Sequence, residues 1–289
     1  MKGIILSGGF GTRLYPATFV TSKQLLPVFN KPMIYYSLST LMLANIRSIL
    51  LITTPEDVKN YKKLLGNGSR LGMKIAYMVQ KKPRGLVDAF NLGSKFIGKE
   101  DVCLILGDNI FYGDGFSNLL EESKKIVENE KNAVIFTFPV KNPSDYGIAN
   151  IKNKKLKSLL EKPKNSKSND AVVGLYFYPN SVVQFSKKIK LSKRKELEIT
   201  DLNNLYLNLK KLEVIQMGRG YAWFDAGSTD SLHEVSQLIK SIESRMGYKI
   251  GCIEEIALNK KWISKNKIKK IVYKYSNSEY GKYLSSLIK

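Results

Sequence analysis

A glycine-rich stretch near the start of the chain has the residue types that bind phosphate. It reads GIILSGGFGTRLYPATFVTSKQLLP over residues 3–27, and Gly8, Gly9 and Gly11 directly follow a short apolar run. Glycine lacks a Cβ, so it permits positive φ and lets backbone N–H groups approach a polyphosphate closely. The stretch therefore predicts a phosphate loop, with a tight strand-to-helix turn as the structural alternative.

The letters of this stretch exclude two familiar phosphate motifs. A Walker A loop requires GxxxxGK[ST], and here Thr12 stands directly after Gly11 in place of the lysine. A dinucleotide fingerprint requires GxGxxG opening a helix, but Leu14 replaces the third glycine and Pro16 interrupts an early helical turn. We therefore expect neither an ATPase of that class nor a dehydrogenase. The prediction is a long loop around a whole triphosphate, with Arg13 as a planar fork of donors.

Two aspartates that end apolar runs could hold a hard cation. Asp108 closes VCLILGD, and Asp225 closes the aromatic run GYAWFD. Mg²⁺ binds one or two carboxylates together with substrate phosphate oxygens rather than a complete protein cage. Taken alone, each aspartate is also consistent with a turn or a helix cap. Beside a glycine cradle, the pair predicts a metal–triphosphate site.

Alternating strands and helices would bring these segments together. Apolar runs predict buried strands at 3–7, 48–53, 74–80, 102–108 and 133–140. Amphipathic stretches predict helices at 55–66, 85–98 and 116–131, and later near 180–189, 200–211 and 228–246. From about residue 146 the units become shorter and strand-rich, which indicates a mixed or antiparallel extension. In mostly parallel sheets, ligands bind beyond the carboxyl ends of the strands.

Composition indicates a globular, basic protein. Its 289 residues are 43% hydrophobic, enough for a substantial core, and its net charge is +22. That charge raises a polyanion as a partner, but the lysines are spread along the whole chain, which is typical of a solvated surface. The lysine-rich stretch 259–275 has apolar residues at near-helical spacing and predicts an amphipathic C-terminal helix pair. Without a long apolar segment or closely spaced cysteines, we expect a cytoplasmic protein with no membrane span and no disulfide framework.

Seven segments carry a family resemblance that runs from residue 2 to nearly the C-terminus, where NSEYGKYLSSL also fits. They read GIILSGGFGTRLYPAT, SKQLLPVFNKPMIYYSLSTLMLANI, GDNIFYG, EKP, AVVGLYFY, ELEITDLN and GRGYAWFDAGS. Together they resemble the bacterial glucose-1-phosphate thymidylyltransferases of the sugar-nucleotidyltransferase family. The resemblance implies an α/β fold: a Rossmann-like three-layer core with a mixed, mostly parallel sheet and a C-terminal helical extension. The implied nucleotidyltransferase domain spans 1–250, with a nucleotide-binding half at about 1–145 and a sugar-phosphate half at about 146–230. A helical segment over 251–289 would pack on the same unit.

The implied activity is transfer of a thymidylyl group from dTTP to α-D-glucose 1-phosphate, giving dTDP-glucose and pyrophosphate. The resemblance implies that this is the first step of dTDP-L-rhamnose and deoxysugar synthesis, in the context of lipopolysaccharide and O-antigen biosynthesis. The implied cofactor is Mg²⁺, the implied partners are the two substrates rather than nucleic acid or membrane, and the implied assembly is a homotetramer. Two alternatives stay open. One is a sugar-1-phosphate nucleotidyltransferase that uses UTP or CTP, and the other is a non-catalytic protein that binds sugar nucleotides or polyanions.

Motif matches assign three groups of residues. The catalytic group is Arg13, Lys23, Lys162, Asp108 and Asp225, of which the two aspartates bind the metal. The nucleotide-binding group is Gly8, Gly9, Gly11, Thr12, Arg13, Lys23, Gln24, Gln80, Gly85 and Asp108, with Gln80 and Gly85 reading the thymine edge. The sugar-phosphate group is Asn109, Tyr146, Gly147, Glu161, Lys162, Val172 and Arg194. Without the resemblance, Glu161, Lys162 and Arg194 are typical of solvated loops.

Three positions depart from the usual family pattern. Asp88 stands in GLVDAF where the family usually has the amide of GLAQAF, and Ala226 lacks the hydroxyl of the usual WLDTGT. Lys195 replaces the glycine that usually follows Arg194. None of these changes removes an expected catalytic group. A misplaced polar group shifts discrimination between ligands by about 1 to 3 kcal/mol, so we expect the departures to bear on nucleotide and sugar selectivity.

Overall fold

Helices and parallel strands alternate in the first half of the chain, and paired strands dominate the second. The computed structural model describes residues 1–153 and 155–289. Its strands are β1 (Lys2–Ser7), β2 (Pro27–Val28), β3 (Lys31–Pro32), β4 (Ser48–Thr53), β5 (Lys74–Val79), β6 (Val102–Leu106), β7 (Asn109–Gly113), β8 (Ala133–Pro139), β9 (Gly147–Lys152), β10 (Lys155–Glu161), β11 (Asp170–Tyr178), β12 (Leu212–Gln216) and β13 (Tyr221–Asp225). Its helices are α1 (Ile34–Leu43), α2 (Val58–Leu65), α3 (Asp88–Ile97), α4 (Phe116–Glu130), α5 (Val182–Phe185), α6 (Ile199–Asn208), α7 (Thr229–Met246), α8 (Ile253–Asn259), α9 (Lys265–Tyr275) and α10 (Glu279–Ser286).

A nine-stranded mixed sheet forms the centre of the molecule. Four parallel neighbours, in the order β6-β1-β4-β5, make up one side. On the other side β11 pairs antiparallel to β6 and to β8, and β12 runs parallel to β8. The antiparallel pair β9–β10 joins the sheet through β11. The predicted α/β fold and the change of rhythm near residue 146 are both confirmed.

Two apolar layers cover the two faces of this sheet. Consecutive strand residues face opposite sides, and accordingly Ile5 belongs to one buried cluster and Ile4 to the other. The Ile5 cluster includes Leu38 of α1, and the Ile4 cluster includes Phe90 of α3. Parallel strands buried on both faces read as near-continuous apolar runs, which is why the KGIILS pattern identified β1 correctly. The predicted three-layer architecture is confirmed.

The C-terminal helices pack against the Ile5 side of the sheet. Ile253 of α8, Ile268 of α9 and Leu284 of α10 all belong to that cluster. The predicted helix pair within 259–275 is wrong, because this stretch contains the single helix α9. Lys261 adopts a left-handed φ of 57° after α8 ends, so the apolar spacing ran across a helix boundary. Among the described residues, every helix is too short or too polar to cross a bilayer.

A buried ion pair ties α7 to the segment that precedes α1. Lys31 Nζ lies 2.8 Å from Glu243 Oε1, and the two side chains are 2% and 3% exposed. Glu243 also accepts hydrogen bonds from Asn30 Nδ2, Lys249 Nζ and the Ile250 N–H. Burial lowers the pKa of Lys31 although Glu243 opposes this. Burial acts to raise the pKa of Glu243, but the hydrogen bond and the charge of Lys31 bring it below its usual range.

We expect Glu243→Gln to lower the free energy of unfolding by about 3 kcal/mol, since the Lys31 ammonium would stay buried without its counter-charge. Chemical denaturation at pH 7 measures this. The exposed pair Lys282–Glu279 provides the matched control, and Glu279→Gln should leave the denaturation midpoint essentially unchanged. Equal effects of the two substitutions would contradict this account.

Candidate functional site

Strand pairing forces the two predicted metal-binding aspartates together. Asp108 follows β6 after one residue, Gly107, and the register of β13 on β7 places Asp225 opposite Asn109. The Ala226 N–H donates to the carbonyl oxygen of Asp108 at 3.0 Å. Residues far apart in sequence thus occupy neighbouring positions at one edge of the sheet.

Asn109 orients the Asp108 carboxylate. Its Nδ2 donates to Asp108 Oδ1 at 3.1 Å, and its Oδ1 accepts from the Gly174 N–H at 2.9 Å and from Trp223 Nε1 at 2.7 Å. Asn109 is only 2% exposed. Asn109 lines a cavity of about 260 Å³. Both the nitrogen and the oxygen of its amide are already hydrogen-bonded within the protein. A sugar-phosphate role for Asn109 stays a prediction.

The glycine loop leaves β1 as an open turn and continues into a 3₁₀ turn at Thr12–Leu14. Gly11 has a φ of 65°, a left-handed conformation that favours glycine, and a Cβ there would lie 3.2 Å from the Thr18 side chain. Thr18 Oγ1 donates to the Gly11 carbonyl oxygen at 2.7 Å. Gly9 and Arg13 are exposed. The loop therefore presents backbone and one guanidinium to solvent, as a phosphate cradle must.

A buried network behind the loop holds Lys23 in place. The Ser22 N–H donates to Asp57 Oδ1 at 2.9 Å. The Ser22 hydroxyl donates to Gln24 Oε1 at 2.5 Å and also shares a hydrogen bond with the Tyr61 hydroxyl. Gln24 is buried, so its oxygen is used within the protein. Lys23 instead forms an ion pair with Asp108.

Burial and neighbouring charges move the pKa values of the two aspartates in opposite directions. Burial acts to raise the pKa of Asp108, but the Lys23 ammonium outweighs it and keeps that pKa below its usual range. Burial and the Asp108 charge together raise the pKa of Asp225 to about 6, with Lys23 and Arg13 opposing. Lys162 opposes the rise as well, so the raised pKa of Asp225 reflects mainly its burial beside a second carboxylate.

The donor set fits Mg²⁺ bound together with a substrate. Within residues 1–153 and 155–289, no cluster of three or more His, Cys, Asp or Glu side chains could cage a metal ion. Two adjacent carboxylates match a hard cation whose remaining ligands are phosphate oxygens and water. Asp108 and Asp225 thus suit a substrate-borne cation better than a permanent structural metal.

The predicted sugar-phosphate residues line one cavity of about 260 Å³. From the predicted set it contains Arg13, Asp108, Asn109, Tyr146, Gly147, Glu161, Lys162, Val172, Arg194 and Asp225. A wider, more open depression of about 640 Å³ lies by Lys2 and Ser48, at the amino ends of β1 and β4. Its lining includes none of the predicted site residues, so the smaller cavity is the candidate site.

One arginine in the cavity is surrounded by carboxylates. Arg194 Nη1 lies 3.1 Å from Glu161 Oε1, Nη2 lies 2.9 Å from Glu196 Oε2, and Nε lies 3.6 Å from Glu198 Oε1. Thr200 Oγ1 donates to Glu161 Oε2 at 2.5 Å. Burial raises the pKa of Glu198. The arrangement offers carboxylate acceptors for hydroxyl groups next to a guanidinium that suits a phosphate.

Two lysines of the site region have left-handed backbone conformations. Lys162 has a φ of 40°, and its N–H donates to the Tyr146 carbonyl oxygen at 3.1 Å. Lys195 has a φ of 60°, at the position where the family usually has glycine. Residues other than glycine adopt this region at a cost in free energy, so the surrounding structure must enforce both conformations.

The two predicted base-reading residues are not among those that line the cavity. A Cβ on Gly8 would lie 2.7 Å from Gln80 Oε1, so the Gln80 amide rests against the start of the glycine loop. Gln80 Nε2 donates to Asp88 Oδ2 at 2.9 Å. Gly85 has a φ of 97°, and a Cβ there would lie 2.4 Å from the Leu197 carbonyl oxygen. Only glycine permits this contact, which joins the base-side loop to the segment that carries Arg194.

Sequence reasoning missed several cavity residues. Glu198 and Thr200 lie in ELEITDLN, and Trp223 lies in GYAWFDAGS, but both motifs were used only as whole segments. Glu198 directly precedes α6 and Thr200 lies in its first turn, so neither a strand nor a helix periodicity in the sequence identifies them as neighbours in the cavity.

We expect Asp225→Asn to stabilise the metal-free protein at neutral pH. The pKa of an ordinary aspartate is about 3.9, whereas that of Asp225 is raised to about 6. Between those values the native state binds more protons than the unfolded state, so native stability falls as the pH rises. At pH 7 the penalty amounts to about 3 kcal/mol at most, and Asn removes most of it.

Chemical denaturation in EDTA at pH 7 and pH 4 measures this effect, and the gain should nearly vanish at pH 4. Asp114→Asn, at an exposed aspartate outside the cavity, is the matched control. A gain of the same size at both pH values would show that the ionisation of Asp225 is not its cause.

Comparisons with known proteins agree with this geometry. The family model "Nucleotidyl transferase" matches residues 2–242. Glucose-1-phosphate thymidylyltransferases from Neisseria meningitidis and Mycobacterium tuberculosis are 49% and 46% identical to the chain. The alignments cover 100% of this chain and 100% and 99% of those relatives.

Solved structures support the same fold. The structure of a protein described as a glucose-1-phosphate thymidylyltransferase from Bacillus anthracis, in complex with sucrose, is 40% identical to this chain and has a TM-score of 0.76. The match covers 82% of this chain and 94% of that one. A UDP-glucose pyrophosphorylase complexed with UDP-glucose has a TM-score of 0.73 at 23% identity, covers 83% of this chain and 98% of its own, and supports the fold alone. The family match over most of the chain and the full-length relatives show that the chain belongs to the nucleotidyl transferase family, alongside its glucose-1-phosphate thymidylyltransferases.

Proposed function

We propose that the protein transfers a thymidylyl group from dTTP to α-D-glucose 1-phosphate, giving dTDP-glucose and pyrophosphate. The carrying observation is one cavity that joins Arg13 of the glycine loop, the adjacent aspartates Asp108 and Asp225, and the cluster around Arg194. The names of the full-length relatives support these substrates. The first step of dTDP-rhamnose synthesis, a cytoplasmic location and a homotetramer belong to the same proposal, on the strength of the motif resemblance.

The reaction is a single in-line displacement. An oxygen of the sugar phosphate attacks the α-phosphorus of dTTP, and pyrophosphate leaves from the opposite side as one P–O bond forms and another breaks. The attacking oxygen is already anionic at pH 7, so no general base is required. The protein therefore acts by positioning its substrates and neutralising charge.

Different cationic side chains would bind the phosphate of the sugar and the triphosphate of the nucleotide. Lys162 and Arg194 would hold the sugar phosphate, while Glu161, already bonded by Thr200, would accept hydrogen bonds from sugar hydroxyls. Exposed Arg13 would bind triphosphate oxygens through its planar fork, and Lys23 adds a charge beside Asp108. These contacts oppose the repulsion between two anionic substrates.

Asp108 and Asp225 would hold Mg²⁺. The ion supplies charge neutralisation at the phosphate oxygens when it is bound. The chain's own contribution is to keep the two carboxylates adjacent, through the β7–β13 register and the amide of Asn109.

We expect Arg13→Ala and Asp108→Asn each to lower kcat by about 10³-fold or more, because each removes charge that stabilises the transition state. Pyrophosphate release measures turnover, and circular dichroism checks folding. Arg245→Ala, at an exposed arginine in the last turn of α7, is the matched control and should retain normal turnover. Near-normal activity in either folded site variant would reject the assignment.

The nucleotide is tested by pyrophosphate release with glucose 1-phosphate and dTTP, UTP, CTP, GTP or ATP in turn. We expect dTTP to give the highest kcat/KM, EDTA to abolish turnover and added Mg²⁺ to restore it. A preference for UTP or CTP would support a related transferase instead. Absence of pyrophosphate release with every nucleotide would support a non-catalytic binding protein.

A further inference from the structure

An aspartate just beyond the carboxyl end of β4 directs its side chain away from its own helix. Asp57 is the N-cap residue of α2, a position where aspartate ordinarily accepts a hydrogen bond from an N–H group of the first turn. Here the side chain makes no such bond. Its Oδ1 instead accepts from the Ser22 N–H at 2.9 Å, and its Oδ2 accepts from the Thr54 hydroxyl at 3.0 Å. A contact between residues 35 positions apart therefore replaces the local one.

The contact between Asp57 and Ser22 is shielded from water. Asp57, Ser22 and Thr54 are all buried. A hydrogen bond from a backbone N–H to a carboxylate is charge-assisted and about twice as strong as a neutral one, and low local dielectric strengthens it further. Asp57 therefore fixes the backbone at Ser22 in a way that water cannot replace.

Ser22 precedes the 3₁₀ turn that spans Lys23–Leu25. The opposite side of this turn packs against the segment after β6. A Cβ on Gly107 would lie 2.9 Å from Gln24 Cγ, so the Gln24 side chain rests on the residue that precedes Asp108. The turn is thus held between α2, through Ser22, and the end of β6, through Gln24.

We propose that Asp57 is a positioning residue that holds the Lys23 ammonium against Asp108 through the backbone of Ser22. The proposal rests on the proposed function and deepens it. Lys23 and Asp108 form an ion pair, and Asp108 lines the cavity. The lysine side chain is a flexible stem, so the place of its charge depends on how firmly its backbone is held. Asp57 is not among the residues that line the cavity, and it acts only through this series of contacts.

Three substitutions of Asp57 separate its hydrogen bond from its charge and from helix capping. Asp57→Ala removes both acceptors. Asp57→Ser keeps a residue type favoured at helix N-caps, which protects folding, but its hydroxyl is one bond too short to reach Ser22. Asp57→Asn keeps an oxygen for the Ser22 N–H and an amide for the Thr54 hydroxyl.

We expect kcat/KM for dTTP to fall about 10- to 100-fold in Asp57→Ala and Asp57→Ser, because a displaced catalytic charge costs about that much. Asp57→Asn should stay within about threefold of wild type, since its acceptor is retained. Asp101→Ala is the matched control. Asp101 Oδ1 accepts from the Asn180 N–H at 2.9 Å, the same kind of bond outside the cavity lining, so its loss should leave kcat/KM unchanged.

A double-mutant cycle tests whether Asp57 acts through Lys23. When Asp57→Ala is added to Lys23→Ala, kcat/KM should change by less than about twofold, because the side chain that Asp57 positions is already gone. Equal losses in both backgrounds would show a purely structural role and overturn the proposal. An unchanged kcat/KM in folded Asp57→Ala and Asp57→Ser would overturn it as well.

Failure of the proposed function would be recognised separately, as no pyrophosphate release by the wild-type protein with any nucleotide. Reductive methylation of lysines, measured by peptide mass spectrometry, then tests the positioning without turnover. The ion pair with Asp108 protects Lys23, so Asp57→Ala and Asp57→Ser should raise its labelling rate several-fold. Lys282, which is 67% exposed, is the internal reference and should react equally in all variants. An unchanged rate at Lys23 in both variants would reject the proposal.

Discussion

The structure depends on holding two carboxylates closer together than their charges favour. The β7–β13 pairing and the Ala226 to Asp108 hydrogen bond fix Asp225 beside Asp108, and burial intensifies their repulsion. Lys23 forms an ion pair with Asp108, and the charges of Lys23, Arg13 and Lys162 offset the rise in the pKa of Asp225 only in part. The fold therefore stores unfavourable electrostatic energy at the point where a cation and a polyphosphate can relieve it. A site of this kind is arranged to bind its ligand, and the ligand-free protein is less stable as a result.

Close backbone contacts connect the parts of the site that sequence separates. Gly85 lies so near Leu197 that no side chain fits between them, and Gln80 rests on Gly8 in the same way. The base-side loop thus contacts both the glycine loop and the segment that carries Arg194.

Local sequence pattern was sufficient to predict most helices and strands and the functional residues at strand ends. It was not sufficient to predict the hydrogen-bond partners of the site residues. Asp108 and Asp225 could be selected because each ends an apolar run, and strand ends of a mostly parallel sheet meet at one edge. The engagement of Asn109 with Gly174 and Trp223 depends on tertiary register that no local pattern encodes. The helix boundary at Lys261 was missed for a related reason, since apolar spacing continues across a backbone turn.

The charge of the cavity differs in sign from that of the chain, and this favours catalysis over general polyanion binding. The chain carries a net charge of +22. The cavity lining nevertheless contains six carboxylate side chains and three cationic ones: Asp108, Asp145, Glu161, Glu196, Glu198 and Asp225 against Arg13, Lys162 and Arg194. A surface that attracts polyanions through its field alone would concentrate positive charge where the ligand binds. An excess of carboxylates instead suits sugar hydroxyls and a hard cation bound together with a triphosphate. The basic composition therefore belongs to the exterior, and recognition of phosphate depends on a few placed groups.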